Sequence, residues 1–195
     1  GTFGNSKKET INNELGFSGD NIDITSGFDY QFSHKINLGT AFGMSKSSNN
    51  LNANRGKLDY TGYTVLLFGL YYPSPQTFVN LVLSYGGNEY NQERSLNFTQ
   101  NNALTNTTTT VNQIAGADYF GSQFFSELSA GMSYSFTGIS FETSLHLLYL
   151  NAKIDNFKEI MSNPSAAGSG WAVNFNDNDS SSTLLKIGTQ ANYAW

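Results

Sequence analysis

The 195-residue chain contains no cysteine, so it can build neither a disulfide framework nor a thiolate metal site. Proline is nearly absent, with three in all, and two of these stand together at Pro73 and Pro75. Charged residues make up only 13% of the chain and the net charge is −5. Without a basic stripe or run, nucleic acid is excluded as a partner. Few charges alongside 14% aromatics also argue against a disordered chain. No apolar run reaches the roughly 18 residues that a transmembrane helix needs. Two histidines, His34 and His146, are the only imidazoles available for acid–base work.

What the chain does have is period-two alternation. Between residues 122 and 136, Phe124, Leu128, Ala130, Met132, Tyr134 and Phe136 share one parity, while Gln123, Glu127, Ser129, Gly131, Ser133 and Ser135 share the other. That is a strand pattern and not a helical one. After Thr137-Gly138 the alternation resumes with Phe141, Leu145, Leu147 and Tyr149 against Ser140, Glu142, Ser144 and His146. A two-residue connection ending in glycine suits a tight hairpin. Closing Phe136 onto Ile139 predicts the pairs Tyr134/Phe141, Leu128/Leu147 and Ser129/His146. Residues 21–32, 36–45, 77–88 and 183–195 alternate in the same way. The stretch 58–72 is undecided, because both parities are apolar from Val65 to Leu70. Residues 1–20 show no clean period and read as a lead-in or loop. In 72–76 the prolines impose a turn. The connections run short (33–35), long (46–57), short (72–76), long (89–117), short (137–138) and long (156–182), as in outer-membrane barrels. The ends of 89–116 can prolong the flanking strands, and the run TNTTTT at 105–110 within it reads as a mobile loop.

The faces carry the next inference. One is bulky, with Tyr30, Phe32, Tyr71, Tyr134 and Phe136 near the short-turn end, as in an interfacial girdle. The other is built of Gly, Ser, Asn, Gln and Ala with isolated charges, which suits a concave lumen better than a wet convex surface. The expectation is an all-β fold, an antiparallel up-and-down transmembrane β-barrel or a barrel segment of about 7–8 strands, with residues 21–195 as the barrel portion.

The blocks ITSGFDYQFSHKINLGTAFGMSKS (24–47), YTVLLFGLYY (63–72), FVNLVLSYGGNEYNQER (78–94), ADYFGSQFFSELSAGMSYSF (117–136), LHLLYLNAKIDNFKE (145–159) and LLKIGTQANYAW (184–195) follow one another in the order and spacing of a known family. With them the sequence resembles the translocator β-barrel of bacterial autotransporters. The resemblance implies a twelve-stranded, non-enzymatic barrel in the outer membrane of a Gram-negative bacterium, anchoring a passenger and aiding its export. It also implies three partners: outer-membrane lipid, the barrel-assembly machinery and the chain's own passenger segment. Seven strands are readable, with the opening one weak in residues 1–19 and the last four lacking after Trp195, so the expectation is a partial barrel. The alternatives are a complete eight-stranded surface barrel acting as adhesin or receptor, favoured by the terminal Tyr193-Ala194-Trp195, and a soluble β-sandwich binding module.

The candidate site is a set of inward-facing polar groups: Asp29, Glu127, Glu142, His146 and Lys186 as pore-lining residues. The acids would hold water, pair with Lys186 or contact a segment in the pore. Ser129, His146 and Glu127 form a conceivable triad, but no nucleophile elbow accompanies them, and a hydrogen-bonded lumen pair is expected instead. The acidic runs at 155–159 and 177–182 lack the ligand ladder of a calcium loop. No metal and no cofactor is expected.

Overall fold

The structure is a computed structural model that describes residues 1–9, 16–137 and 139–193. Eight main strands form one antiparallel meander: β1 (Thr2–Lys8), β2 (Phe17–Ser33), β3 (Ile36–Leu51), β4 (Gly56–Ser74), β5 (Thr77–Asn102), β6 (Thr107–Phe136), β7 (Ile139–Ile154) and β11 (Asn178–Tyr193). Each pairs with its sequence neighbour, in the order β1-β2-β3-β4-β5-β6-β7-β11. Three two-residue strands, β8 (Phe157–Lys158), β9 (Ile160–Met161) and β10 (Asn174–Phe175), lie in the β7–β11 connection. The sheet's lower end carries the short turns. Its upper end carries the connections at 52–55, 103–106 and 155–177.

The hairpin register follows from the alternation, because a slip of one residue would turn every side chain to the other face. Tyr134 pairs with Phe141, Leu128 with Leu147 and Ser129 with His146. Thr137 takes a positive φ of 45° at the turn. Gly138, on which the expected turn geometry leaned, lies outside the described residues, as do Ala194 and Trp195. In β2–β3 a bulge beside the turn separates Ser33/Ile36 from the regular pairs that follow, such as Tyr30/Leu38.

The lead-in expected over residues 1–20 is corrected: it contains β1 and the start of β2. β1 has only Phe3 as a large apolar group, so its side chains give little signal. Its ladder, from Thr2/Asp23 to Lys8/Phe17, is a backbone matter. The connection expected at 46–57 is shorter, and the ends of 89–116 do prolong the flanking strands. β3 runs on to Leu51, β4 begins at Gly56, and β5 and β6 stay paired out to Asn102/Thr107. The threonines at 107–110 are therefore strand and not loop. Ser, Asn and Thr rows on a two-sided wet ribbon have no burial contrast, and so no periodic signature.

The bulky face is the exposed one. Phe124 is 36% exposed, Leu128 50%, Leu145 48% and Leu147 47%. A single continuous sheet with this face outward replaces the sandwich alternative. β4, undecided in sequence, sends Tyr63, Val65 and Leu67 outward, all exposed. Phe68 falls on the opposite face, where it covers Gly39 so closely that a Cβ there would meet its ring at 2.2 Å. Phe78 sits over Gly131 in the same way, at 2.5 Å. Bulk on the inner wall is matched by glycine on the next strand.

The outer apolar band does not follow the register rows. On β2 its upper edge is Ile22; on β11 it is Leu185. Yet Leu185 is in register with Leu147, Leu128, Leu81, Gly69, Leu38 and Tyr30 in turn. Over those six ladders the edge moves from residue 22 to the level of residue 30, about 1.3 residues per strand. At about 3.3 Å per residue and about 4.8 Å between strands, that slope is a tilt of about 40°. Closed membrane barrels tilt their strands by about 35–45°.

Candidate functional site

The inner face holds every expected pore-lining residue, but they do not form one cluster. Asp29, on β2, is exposed and accepts a hydrogen bond from Asn37 Nδ2 at 3.1 Å. Glu142 lies on β7 opposite Ser133. There it borders a groove of about 350 Å³ lined also by Leu70, Tyr72, Gln76 and Phe78. Lys186, in register with His146, is exposed and makes no ion pair among the described residues.

Glu127 and His146 do meet. His146 Nδ1 is 2.7 Å from Glu127 Oε1, and both side chains are about three-quarters buried. His146 Nε2 lies 3.0 Å from the hydroxyl of Ser144. Ser129, the hydroxyl expected from its cross-strand position, is buried and forms no such contact. The partner is the residue two positions back on the same strand. Same-face neighbours along a strand are as close as diagonal ones across it, and the imidazole leans along β7.

A second feature lies above the apolar band and had no signal in the sequence. The connection 155–177 folds back over the inner face of the extended β5–β6 hairpin. β9 pairs with β6 at Met161/Ala115 and Ile160/Gly116. Met161, Leu96, Val111 and Ala115 form a buried cluster, with Phe98 and Ala172 against it. Gly168, at φ +91°, presses on Val111, where a Cβ would approach to 2.4 Å. Buried Gln113 donates to Ala167 O at 2.8 Å and accepts from Asn163 N at 3.1 Å.

This strap is tied down by one ion pair. Arg94 Nε donates to Glu159 Oε1 at 3.0 Å, and its Nη2 reaches Glu159 Oε2 at 2.5 Å. Val173 N donates to Oε2 at 2.9 Å, and Arg94 Nη2 also binds Trp171 O at 3.1 Å. The Glu159 side chain is 1% exposed, and the arginine beside it holds its carboxyl below the usual range against the opposing effect of burial. Below the pair, a row of rings crosses the inner wall. Tyr60, Tyr90 and Tyr119 are successive cross-strand partners, and Phe157 stacks on Tyr119 with centroids 4.0 Å apart and Phe175 on Phe157 at 4.5 Å. Tyr90 stacks on Tyr119 at 5.0 Å, while Tyr60 meets Tyr90 tilted at 45°.

Among the described residues no group of three His, Asp or Glu side chains could hold a metal ion. No helix is long and apolar enough to cross a membrane, which says nothing of strands. No curated protein matches the chain. The profile of the family described as "Autotransporter beta-domain" matches residues 1–195, the whole chain.

Proposed function

The chain belongs to the autotransporter β-domain family of type V secretion translocator barrels, and from that membership we propose that it forms the wall of a Gram-negative outer-membrane barrel that anchors a passenger and aids its export to the cell surface. The observation that carries this reading is the tilted apolar band. A soluble sheet has no reason to expose large side chains along a line oblique to its own register. A lipid layer supplies one, because hydrocarbon is level while the strands are not. From Ile22 to Phe32 the band covers ten steps of β2, which at the tilt above rises about 25 Å, the height of the apolar belt of outer-membrane barrels. The polar inner face, with Asp29, Glu127, Glu142, His146 and Lys186, is then the lining of a wet lumen. In this reading the barrel serves export as a conduit, a role that asks no catalysis of it. Lipid is the partner for which the surface itself argues; the passenger and the barrel-assembly machinery follow from the family.

The test is physical state. The purified chain folds in detergent and migrates anomalously on a gel unless heated. A chain that stays monomeric and folded in buffer without detergent sinks the proposal.

A further inference from the structure

Beyond the conduit role, the inner wall contains an arrangement that the export function does not use. Glu127 Oε1, His146 Nδ1, His146 Nε2 and Ser144 Oγ form a chain of contacts at 2.7 and 3.0 Å. A carboxylate that fixes an imidazole, which in turn holds a hydroxyl, is the order of groups that activates a serine. The surroundings of Ser144 leave its hydroxyl open. Its cross-strand neighbours are both glycine, Gly131 on β6 and Gly188 on β11. A side chain at Gly188 would begin 3.1 Å from Ser144 Oγ. Phe78 covers Gly131 in the same register row, and with Leu70, Tyr72 and Glu142 it lines the groove of about 350 Å³ that starts one inward position from Ser144. Lys186 lies on β11 in register with His146, on the same inner face, is exposed, and has no ion-pair partner among the described residues.

We propose that Ser144 is an activated nucleophile, with His146 as its general base and Glu127 as a positioning residue, and that it accepts acyl groups from esters whose acyl part lies along Leu70, Tyr72 and Phe78. Ser144 Oγ forms a bond to the ester carbonyl carbon as its proton passes to His146 Nε2. Negative charge develops on the carbonyl oxygen, where the Lys186 ammonium compensates it in place of backbone N–H groups, which β7 commits to its two ladders. The carbon–alkoxy bond breaks and the alkoxide leaves as an alcohol with the proton from Nε2. A lumen water then attacks the acyl carbon, gives its proton to His146, and the serine hydroxyl re-forms as the acid departs.

The experiment uses the whole chain folded in detergent and an alkyl fluorophosphonate. With this probe, Ser144 Oγ bonds to phosphorus and fluoride leaves. Peptide mass mapping compares Ser144 with Ser133 and Ser140, half-buried like it and on the same face, inside the same unmodified molecule, so no variant is needed for the first result. Ser144 is expected to react about 100-fold faster than the other two, the range that general-base assistance supplies. His146→Gln brings Ser144 to their rate, Glu127→Gln lowers it, Glu127→Asp restores part of it, and Ser129→Ala changes nothing. Lengthening the alkyl chain raises the rate in the unmodified chain and less so in Leu70→Ala. Heat-dependent gel migration establishes that each variant is folded. Equal labelling of the three serines, or a His146→Gln variant that reacts at the unmodified rate, overturns the proposal. Since the readout is one residue's reactivity in a folded chain, neither result depends on whether the barrel exports a passenger.

Discussion

Arg94 and Glu159, 65 residues apart in sequence, close a two-point ion pair that binds the β7–β11 connection to the inner face of the β5–β6 hairpin. Glu159 is 1% exposed, and its Oε2 also accepts a hydrogen bond from Val173 N. Only the carboxylate end is enclosed, since the Arg94 side chain is 33% exposed, but removing the arginine strands a buried charge. Arg94→Ala is therefore expected to loosen the strap by about 3 kcal/mol, the lower end of the range for one lost partner of a buried pair. Hydrogen exchange at the Glu159 and Val173 amides should accelerate about 100-fold, while amides of β3 and β4 within the band keep their protection. Unchanged exchange at those two amides would show that the apolar cluster alone holds the strap.

The same pair gives the strap a pH dependence with a definite sign. The folded carboxyl of Glu159 titrates below its ordinary value of 4.5, chiefly because Arg94 hydrogen-bonds the ionised form. Its contribution is therefore complete above that value and is lost as pH falls through the depressed one. Trp171 packs against Phe98 at 5.0 Å and lies beside Arg94, so its fluorescence reports the release. A transition centred above pH 4.5 would contradict the sign.

Gly168 allows close approach where the strap crosses Val111. Its φ of +91° disfavours any side chain, and a Cβ would lie 2.4 Å from Val111 Cγ1. Gly168→Ala should cost about 1–3 kcal/mol of strap docking through strain and overpacking. Limited proteolysis within 155–177 measures it, with faster cleavage expected. Val111→Ala in the same background removes part of the clash and should recover some of the loss.

Tyr30 and Leu185 share a register row but not a depth. Six strand steps at about 4.8 Å, with a tilt of about 40°, separate them by roughly 20 Å along the membrane normal. Spin labels at the two positions, read against paramagnets dissolved in lipid and in water, should place Leu185 at the upper edge and Tyr30 near the lower one. Equal depths would mean that the band is level with the register, and the lipid argument would fail.

Leu128 and Ser129 are adjacent residues on opposite faces. Leu128→Arg places a cation in the apolar band and should cost about 2–4 kcal/mol in denaturant unfolding from vesicles, as a lipid-facing charge does near the midplane. Ser133→Arg, pointing into the polar face, should cost far less. Reversed costs would put the bulky face inside.

The sequence by itself determined which residues share a face, and with it the hairpin register, because alternation of bulk with small polar groups makes a one-residue slip costly. It also carried the family: six degenerate blocks in a fixed order, matched over residues 1–195. Tertiary structure decided what had no burial contrast to announce it. β1 and the tip of the β5–β6 hairpin, residues 99–102 with 107–110, are strands because a neighbour completes their ladders, although their side chains are nearly all polar. The inward fold of the strap rests on contacts between residues as distant as Arg94 and Glu159, which no local period encodes. The choice of Ser144 over Ser129 as partner of His146 turned on how the imidazole leans along its own strand, which brings Nε2 to 3.0 Å from Ser144 Oγ and which no period in the sequence encodes.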